Sequence, residues 1–390
     1  MQEKRFETIA IRTQCKQSDQ REHSVPLYLT SSFSFDSAEH GQAIFENRLD
    51  RNLYSRFSNP NTDEFIKKLC LLENYERGVA TASGMAAIYT SFVALLQQGD
   101  HMIASKNIFG NALYIITQIL PKMGVDYTLV EVDDQTGWAD AVKENTKIAY
   151  LETPANPTLK IADLGFFSKL CKEHGIISIV DNCFATPYLQ KPSDYDIDLS
   201  IHSATKYIDG QGRVLGGAIL GSESLIAQCF DFLRRTGACL SPFNAWVLSK
   251  SLETLAIRMD RHCQNALSIA QWLESKSNID QVNYPFLESH PQHILAKAQM
   301  KLGGGMIGLE INGTKSDAMK FLNNLELHSL TANLGDSRSI ATHPASTTHS
   351  KLTEQQQLEA GIKPNYIRIS VGLENVDDLI GDIDHSLNSL

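Results

Sequence analysis

The sequence predicts an α/β fold: a mainly parallel sheet covered by helices on both faces, followed by a smaller α+β unit. Three observations carry this reading. Between residues 78 and 220, short apolar strands alternate with helical segments. Several of those strands are near-continuous apolar runs, such as I-I-S-I-V at 176–180, which suits burial on both faces rather than one. A long helical pattern at 249–270, with no obvious break, then leads out of the alternation into a stretch with a different rhythm.

The elements follow in order. Residues 1–60 are polar and irregular and read as an arm. Y-S-R-F-S-N-P at 54–60 ends it, because proline biases the residue before it away from the helical region. Asn61 and Thr62 are placed to cap a helix running to about Asn74, with Glu64 reaching back and Phe65, Leu69 and Leu72 on one face. A short strand at 79–82 precedes a helix opened by Ser83-Gly84-Met85 and running through Leu96. A strand at 101–105 and a helix at 109–120, closed by Pro121, come next. Further strands are expected at 127–132 and 148–152, a helix at 163–174 ended by Gly175, and strands at 176–180, 199–203 and 217–220. Past the long helix, 303–311 and 366–371 read as strands, and 316–323 and 376–387 as helices. The expected division is an arm at 1–60, a large domain at 61–255 and a C-terminal domain at 256–390.

Composition narrows the function. The 390 residues carry a formal net charge of -10, which argues against nucleic-acid binding through a basic face. The seven cysteines are an odd number and include no C-x-x-C pair, so neither a disulfide framework nor a cysteine zinc site is expected. They fit reduced thiols in a cytoplasmic setting. The first twelve residues are charged and lack an apolar core, so no signal peptide is expected, and no apolar run approaches the ~20 residues of a membrane helix.

The chemistry concentrates in S-I-H-S-A-T-K-Y-I-D-G-Q-G-R-V-L-G-G at 200–217. Lys206 follows an apolar strand and the polar residues His202, Ser203 and Thr205. A lysine there suits a Schiff base with an aldehyde cofactor, the hydroxyls holding its phosphate; a strand ending in a solvated lysine is the plainer reading. Ser83-Gly84-Met85 opens a helix after a strand, either as a phosphate site or as a simple serine cap. Asp181 ends an apolar strand, either pairing with a pyridine nitrogen or capping the next turn. E-T-P-A-N-P at 152–157 is a stiff loop in which Asn156 could donate to a cofactor oxygen, or a rigid surface loop. Arg368 lies within an apolar strand, where a substrate carboxylate would offset its burial; an edge-strand arginine facing water is the alternative.

Other chemistries find no motif. There is no G-x-S-x-G elbow, H-E-x-x-H or phosphate-binding G-x-x-x-x-G-K-[ST]. His343 and His349 are spaced poorly for zinc and read as loop histidines, so no metal is expected.

The motifs Y-S-R-F-S-N-P, A-S-G-M-A-A, E-T-P-A-N-P, D-N-C-F-A-T-P, S-A-T-K and R-I-S-V-G-L-E occur in this order over nearly the whole chain. Together they resemble the cystathionine γ-synthase family of pyridoxal-phosphate enzymes in cysteine and methionine metabolism. The 200–217 stretch is most similar to the branch that joins O-succinylhomoserine with sulfide. The resemblance implies a fold-type I PLP-dependent transferase with a mainly parallel seven-stranded sheet, and pyridoxal 5'-phosphate as cofactor. Lys206 would bond to the cofactor and Asp181 would pair with its ring nitrogen. Ser83, Gly84, Met85, Ser203 and Thr205 would hold its phosphate, and Asn156 would lie near its phenolic oxygen. Tyr54 and Arg56 would reach the phosphate of a neighbouring subunit, which implies shared sites and a homotetramer built from dimers. Arg368 would bind the substrate α-carboxylate, with Tyr54 and Asn333 nearby.

Two departures stand out. Where many members carry a ring-stacking tyrosine in Y-G-G-T, this chain has F-G-N-A, so Phe109 offers a ring but no hydroxyl. Where many have S-L-G-G, it has N-L-G-D at 333–336. The implied reaction is γ-substitution of a homoserine ester by sulfide, or by cysteine. The competing outcome is elimination to a 2-oxo acid and ammonia.

Overall fold

The computed structural model describes residues 4–46, 48–350 and 353–390. Two sheets organise it. The first has seven strands: β1 (Arg77–Thr81), β2 (His101–Ser105), β3 (Asp126–Val130), β4 (Thr146–Glu152), β5 (Ile177–Asp181), β6 (Leu199–His202) and β7 (Gly217–Gly221). Their spatial order is β1-β7-β6-β5-β4-β2-β3. Every neighbouring pair is parallel except those of β7, which runs against both β1 and β6. The second sheet comprises β8 (Ile279–Asn283), β9 (Met306–Ile311), β10 (Ser329–Leu330), β11 (Ile340–Thr342) and β12 (Tyr366–Ser370), in the order β10-β11-β12-β9-β8.

The apolar runs of the sequence explain the first sheet. β2, β6 and β7 are buried along their whole lengths, as strands covered on both faces must be. One face packs on the helices Gly84–Leu95 and Glu223–Thr236, with Ile88, Phe92, Ile226 and Leu233 against Ile179, Ile201 and Ile219. On the other, Phe65, Leu69 and Leu72 of the helix Pro60–Glu73 join Leu220, Leu248 and Leu252. Six parallel strands place six carboxyl ends on one edge, the edge where open α/β sheets bind ligands.

Several expectations change in detail. The helix after the arm is capped by Asn59, whose side chain accepts from the Asn61 N–H, two residues earlier than expected. Asn61 instead ties down the arm through Tyr28 N and Pro26 O. Glu64 forms no capping box; it turns inward to Lys68, Ser249 and the Cys15 N–H. The arm itself holds two helices, Phe6–Arg12 and Ala38–Phe45. The helix expected at 109–120 is Gly110–Tyr114 followed by a π turn, Ile115–Ile119, and a 3-10 turn, Leu120–Met123. The unbroken pattern at 249–270 proves to be two helices, Pro242–Leu252 and Leu255–Glu274, parted at Glu253–Thr254. Both sides of the break are apolar, so periodicity runs straight through it.

The structure removes one reading of Arg368. β12 is an interior strand between β11 and β9, and Arg368 is 2% exposed. It is not a solvated edge residue. All seven cysteines are free; Cys15 and Cys239 are half-buried and the others buried. No group of three or more metal-ligating side chains occurs among the described residues, and none of their helices is long and apolar enough to cross a membrane.

Candidate active site

The loop between β6 and β7 carries Lys206. It begins and ends at the same edge because β7 runs backwards. A turn forms as Lys206 N–H donates to Ser203 O at 3.1 Å, and Gly210 N–H to Lys206 O at 2.8 Å. Arg258, from the helix Leu255–Glu274, reaches under this loop and donates to Tyr207 O at 2.6 Å and Ile208 O at 3.1 Å. Gly210 has φ +69°, and a Cβ there would strike the Arg258 guanidinium. The loop therefore stands rigidly with the lysine at its crest.

The amine of Lys206 donates to Asn333 Oδ1 at 2.6 Å. Burial, together with the nearby Arg368 guanidinium, lowers the pKa of this amine from its ordinary value. Asn333 also connects to Arg368, whose Nη2 donates to its backbone oxygen at 3.2 Å. The other arm of the guanidinium, Nη1, donates to Asn156 Oδ1 at 2.9 Å. Its Nε is buried without a hydrogen-bond partner among the described residues. An unpaired donor on a buried guanidinium is costly, and burial holds this group down to about 10. Tyr366, two residues before Arg368 on the same strand face, donates to Pro157 O at 2.7 Å. β12 thus docks on the 152–157 loop through two alternate side chains, and Asn156, Asn333, Arg368 and Lys206 meet.

Asp181 ends β5 beside Glu152, its register partner at the end of β4. Asp181 accepts from Cys183 N–H at 3.0 Å and from Tyr150 OH at 3.4 Å. Burial pushes its carboxyl up to about 6, against the pull of the Cys183 N–H, His202 and Tyr150. Glu152 is pushed well above the carboxylate range by burial and by Asp181. It also accepts from the Phe109 N–H at 2.9 Å, which fixes Phe109 at the start of the helix Gly110–Tyr114.

Ser83 caps the helix Gly84–Leu95 by accepting from Ala86 N–H at 3.1 Å. The Gly84 and Met85 N–H groups are not taken up by any other described residue, as the first turn of a helix leaves them. A Cβ on Gly84 would lie 2.6 Å from Ser203 Cβ, so bare backbone lets the 83–85 and 203–205 turns touch. The result is a cradle of N–H and hydroxyl groups suited to an anion. The Thr205 hydroxyl is partly committed, since it accepts from Gly216 N–H at 3.1 Å.

Tyr54 and Arg56 do not join this group within the chain. Arg56 donates to Arg234 O and lies over the Tyr54 and Phe57 rings at 5.3 and 4.8 Å. Among the described residues, no hydrogen bond of either goes to Ser83, Ser203, Thr205 or Lys206. Other residues took no role from the sequence and gain one here. Glu152 was visible only as part of a stiff loop, and Arg258 only as a residue of a long helix. Tyr150 and Glu73 carried no signal of their own, and His349, read as a loop histidine, has its ring held down to about 4 by burial and Arg368.

The arrangement fits a phosphorylated aldehyde of aromatic type. An amine of lowered proton affinity, a strand-end carboxylate and an anion cradle line one edge, together with the buried Arg368 guanidinium. Comparison with known proteins agrees. The family model "Cys/Met metabolism PLP-dependent enzyme" matches residues 7–388. The O-succinylhomoserine sulfhydrylase of Pseudomonas aeruginosa is 39% identical over 385 residues, covering 99% of this chain and 96% of its own. An L-methionine gamma-lyase of Fusobacterium nucleatum subsp. polymorphum is 42% identical over 370 residues, covering 94% of each. A Campylobacter jejuni structure, assigned as a candidate O-acetylhomoserine (thiol)-lyase, superposes with a TM-score of 0.94 at 35% identity, over 98% of this chain and 99% of its own. It carries N'-pyridoxyl-lysine-5'-monophosphate.

Proposed function

The chain belongs to the Cys/Met metabolism PLP-dependent enzymes, and from that premise we propose that it catalyses γ-substitution on a homoserine ester. The preferred ester is O-succinylhomoserine, the nucleophile is sulfide, and the product is homocysteine on the way to methionine. The cofactor is pyridoxal 5'-phosphate, which supplies an electron sink for charge developing on the substrate carbons when it is bound.

The residues of the chain do the remaining work. Lys206 is the attachment point. Once displaced by substrate, its Nζ takes a proton from Cα and returns protons later, a task suited to an amine held below its ordinary pKa. Asn333 Oδ1 holds that amine in place. Arg368, presented by β12 with Nε unpartnered, binds the α-carboxylate through two parallel hydrogen bonds. Asp181 faces the ring nitrogen, and the Ser83, Gly84, Met85, Ser203 and Thr205 cradle holds the phosphate. Asn156 orients the anchor and the cofactor's phenolic side. Tyr54 and Arg56 act on the neighbouring subunit's phosphate in a homotetramer built from dimers.

The observation that carries the choice of reaction is Phe109. It is fixed beside Glu152 at the carboxyl edge and has no hydroxyl. An ester releases a carboxylate, a weak base that departs without help from an acid. Methionine must release a more basic thiolate, for which a placed acid matters. The site therefore favours ester substitution over methionine elimination. The test offers purified enzyme succinyl- and acetylhomoserine, each with sulfide or cysteine, and methionine alone. Homocysteine from the succinyl ester and sulfide is expected. Rapid release of 2-oxo acid from methionine, with no homocysteine from either ester, would overturn the reading.

A further inference from the structure

Asp181 has a second layer behind it. Glu73, the last residue of the helix Pro60–Glu73, is fully buried beneath the sheet. Its carboxylate accepts from Ser200 Oγ at 2.5 Å, from His202 Nε2 at 2.5 Å and from Asn182 Nδ2 at 3.2 Å. A buried carboxylate persists only when donors or a positive charge surround it, and these three groups supply that shell. His202 is equally buried, and its Nδ1 has no hydrogen-bond partner among the described residues.

The placement relative to the cofactor edge is specific. Ile201 is the register partner of Asp181, so His202 follows it on the adjacent strand and faces the other side of the sheet. Ser200, two residues earlier, shares that face and the same carboxylate. Asp181 itself is faced by Tyr150 and Glu152 from β4 and by the neighbouring Cys183. Around Glu73, Cys70 and Tyr75 are the other titratable neighbours, and burial first, then this carboxylate, pushes both up, so they stay neutral. Burial pushes both Glu152 and Cys183 up, and neither a carboxyl nor a thiol can carry positive charge, so neither supplies Asp181 with a counter-charge. His202 is the group behind it that can.

We propose that Glu73 and His202 stand as a buried carboxylate–histidine pair that acts on the cofactor through Asp181. Through the contacts of Glu73 with both His202 and Asn182, the pair backs the segment that carries Asp181. It favours the ionised carboxylate, and so keeps the shared proton on the cofactor's ring nitrogen rather than on Asp181. His202 and Glu73 are positioning residues that touch neither substrate nor cofactor. This rests on the assignment of Asp181 to the ring nitrogen.

The test uses holoenzyme loaded with pyridoxal phosphate labelled with nitrogen-15 in the ring. Nuclear magnetic resonance reads whether that nitrogen is protonated. His202→Gln keeps an N–H to donate to Glu73 and loses only the protonatable ring. Its signal is expected more than half-way from the protonated towards the unprotonated reference. Glu73→Gln should move it in the same direction, and it carries the test alone if His202→Gln fails to fold. Unchanged protonated signals in folded variants would overturn the pair's role and leave the cofactor assignment standing. Wild-type protein that takes up no cofactor would overturn both.

Discussion

The Lys206 amine donates to the side-chain oxygen of Asn333 at 2.6 Å. The same asparagine receives Arg368 on its backbone oxygen. One residue thus links the Lys206 amine to the Arg368 guanidinium, so a disturbance at one is felt at the other. The predictions start from this link.

Lys206→Ala should abolish turnover and the yellow absorbance of the bound cofactor while leaving the fold intact. The loop is held by Arg258 and not by the lysine side chain. Absorbance spectra and circular dichroism of the variant check both halves.

Arg368→Lys should lose about 2–5 kcal/mol in kcat/KM, the range for breaking a buried hydrogen-bonded charge pair. Lysine keeps the charge and loses the planar fork that spans Asn156, Asn333 and a carboxylate. Cofactor absorbance should stay normal. Steady-state kinetics with the ester, beside a decarboxylated analogue, separate anchor from scaffold: only the amino acid should suffer.

The reading of the sequence reached the site more surely than its support. Lys206, Asp181, Ser83 and Arg368 sit in motifs whose residue types are unusual for their local structure, and such misfits are legible one at a time. Glu152 and Glu73 were not legible, because an acidic residue at the end of a strand or helix looks like a solvated terminus. Only the packing of α-helix on sheet buries it. The parallel order of the large sheet followed from apolar runs. The break at Glu253–Thr254 did not, since no proline or glycine marks it.

Phe109→Tyr should raise the elimination of methionine by about 10²–10⁴, the usual contribution of a placed acid. The Glu152 contact uses the backbone N–H and survives the change. Assay of 2-oxo acid release checks it; a rate unchanged within a factor of two would remove Phe109 as the selector.

Arg56→Ala mixed with Lys206→Ala should recover activity that neither has alone. Arg56 is remote from its own chain's cradle, held at Arg234 O. If sites are shared, a hybrid dimer holds one site free of both lesions. Absence of recovery in verified hybrids would place Arg56 in a purely structural role.

Acid should find a weak point at Asp382. Burial would raise its pKa, yet the His328 ring at 2.6 Å and the Glu326 and His328 N–H groups bring it down to about 2. A depressed carboxylate stabilises the fold above its unfolded value, about 3.9, and that contribution fades as pH falls towards 2. Melting temperatures between pH 5 and 2 should therefore drop more steeply for the wild type than for Asp382→Asn, which is less stable at neutral pH.

The bond between Arg368 and Asn156 joins positions 212 residues apart. Contacts of such separation are late events, because the intervening chain must be ordered before they close. During synthesis, the lysine, the strand-end aspartate and the anion cradle emerge long before β12. A nascent chain lacking its last strand therefore holds Lys206, Asp181 and the cradle but not Arg368. Refolding should reflect this as two separable steps, cofactor uptake first and selectivity for amino acids over simple amines afterwards.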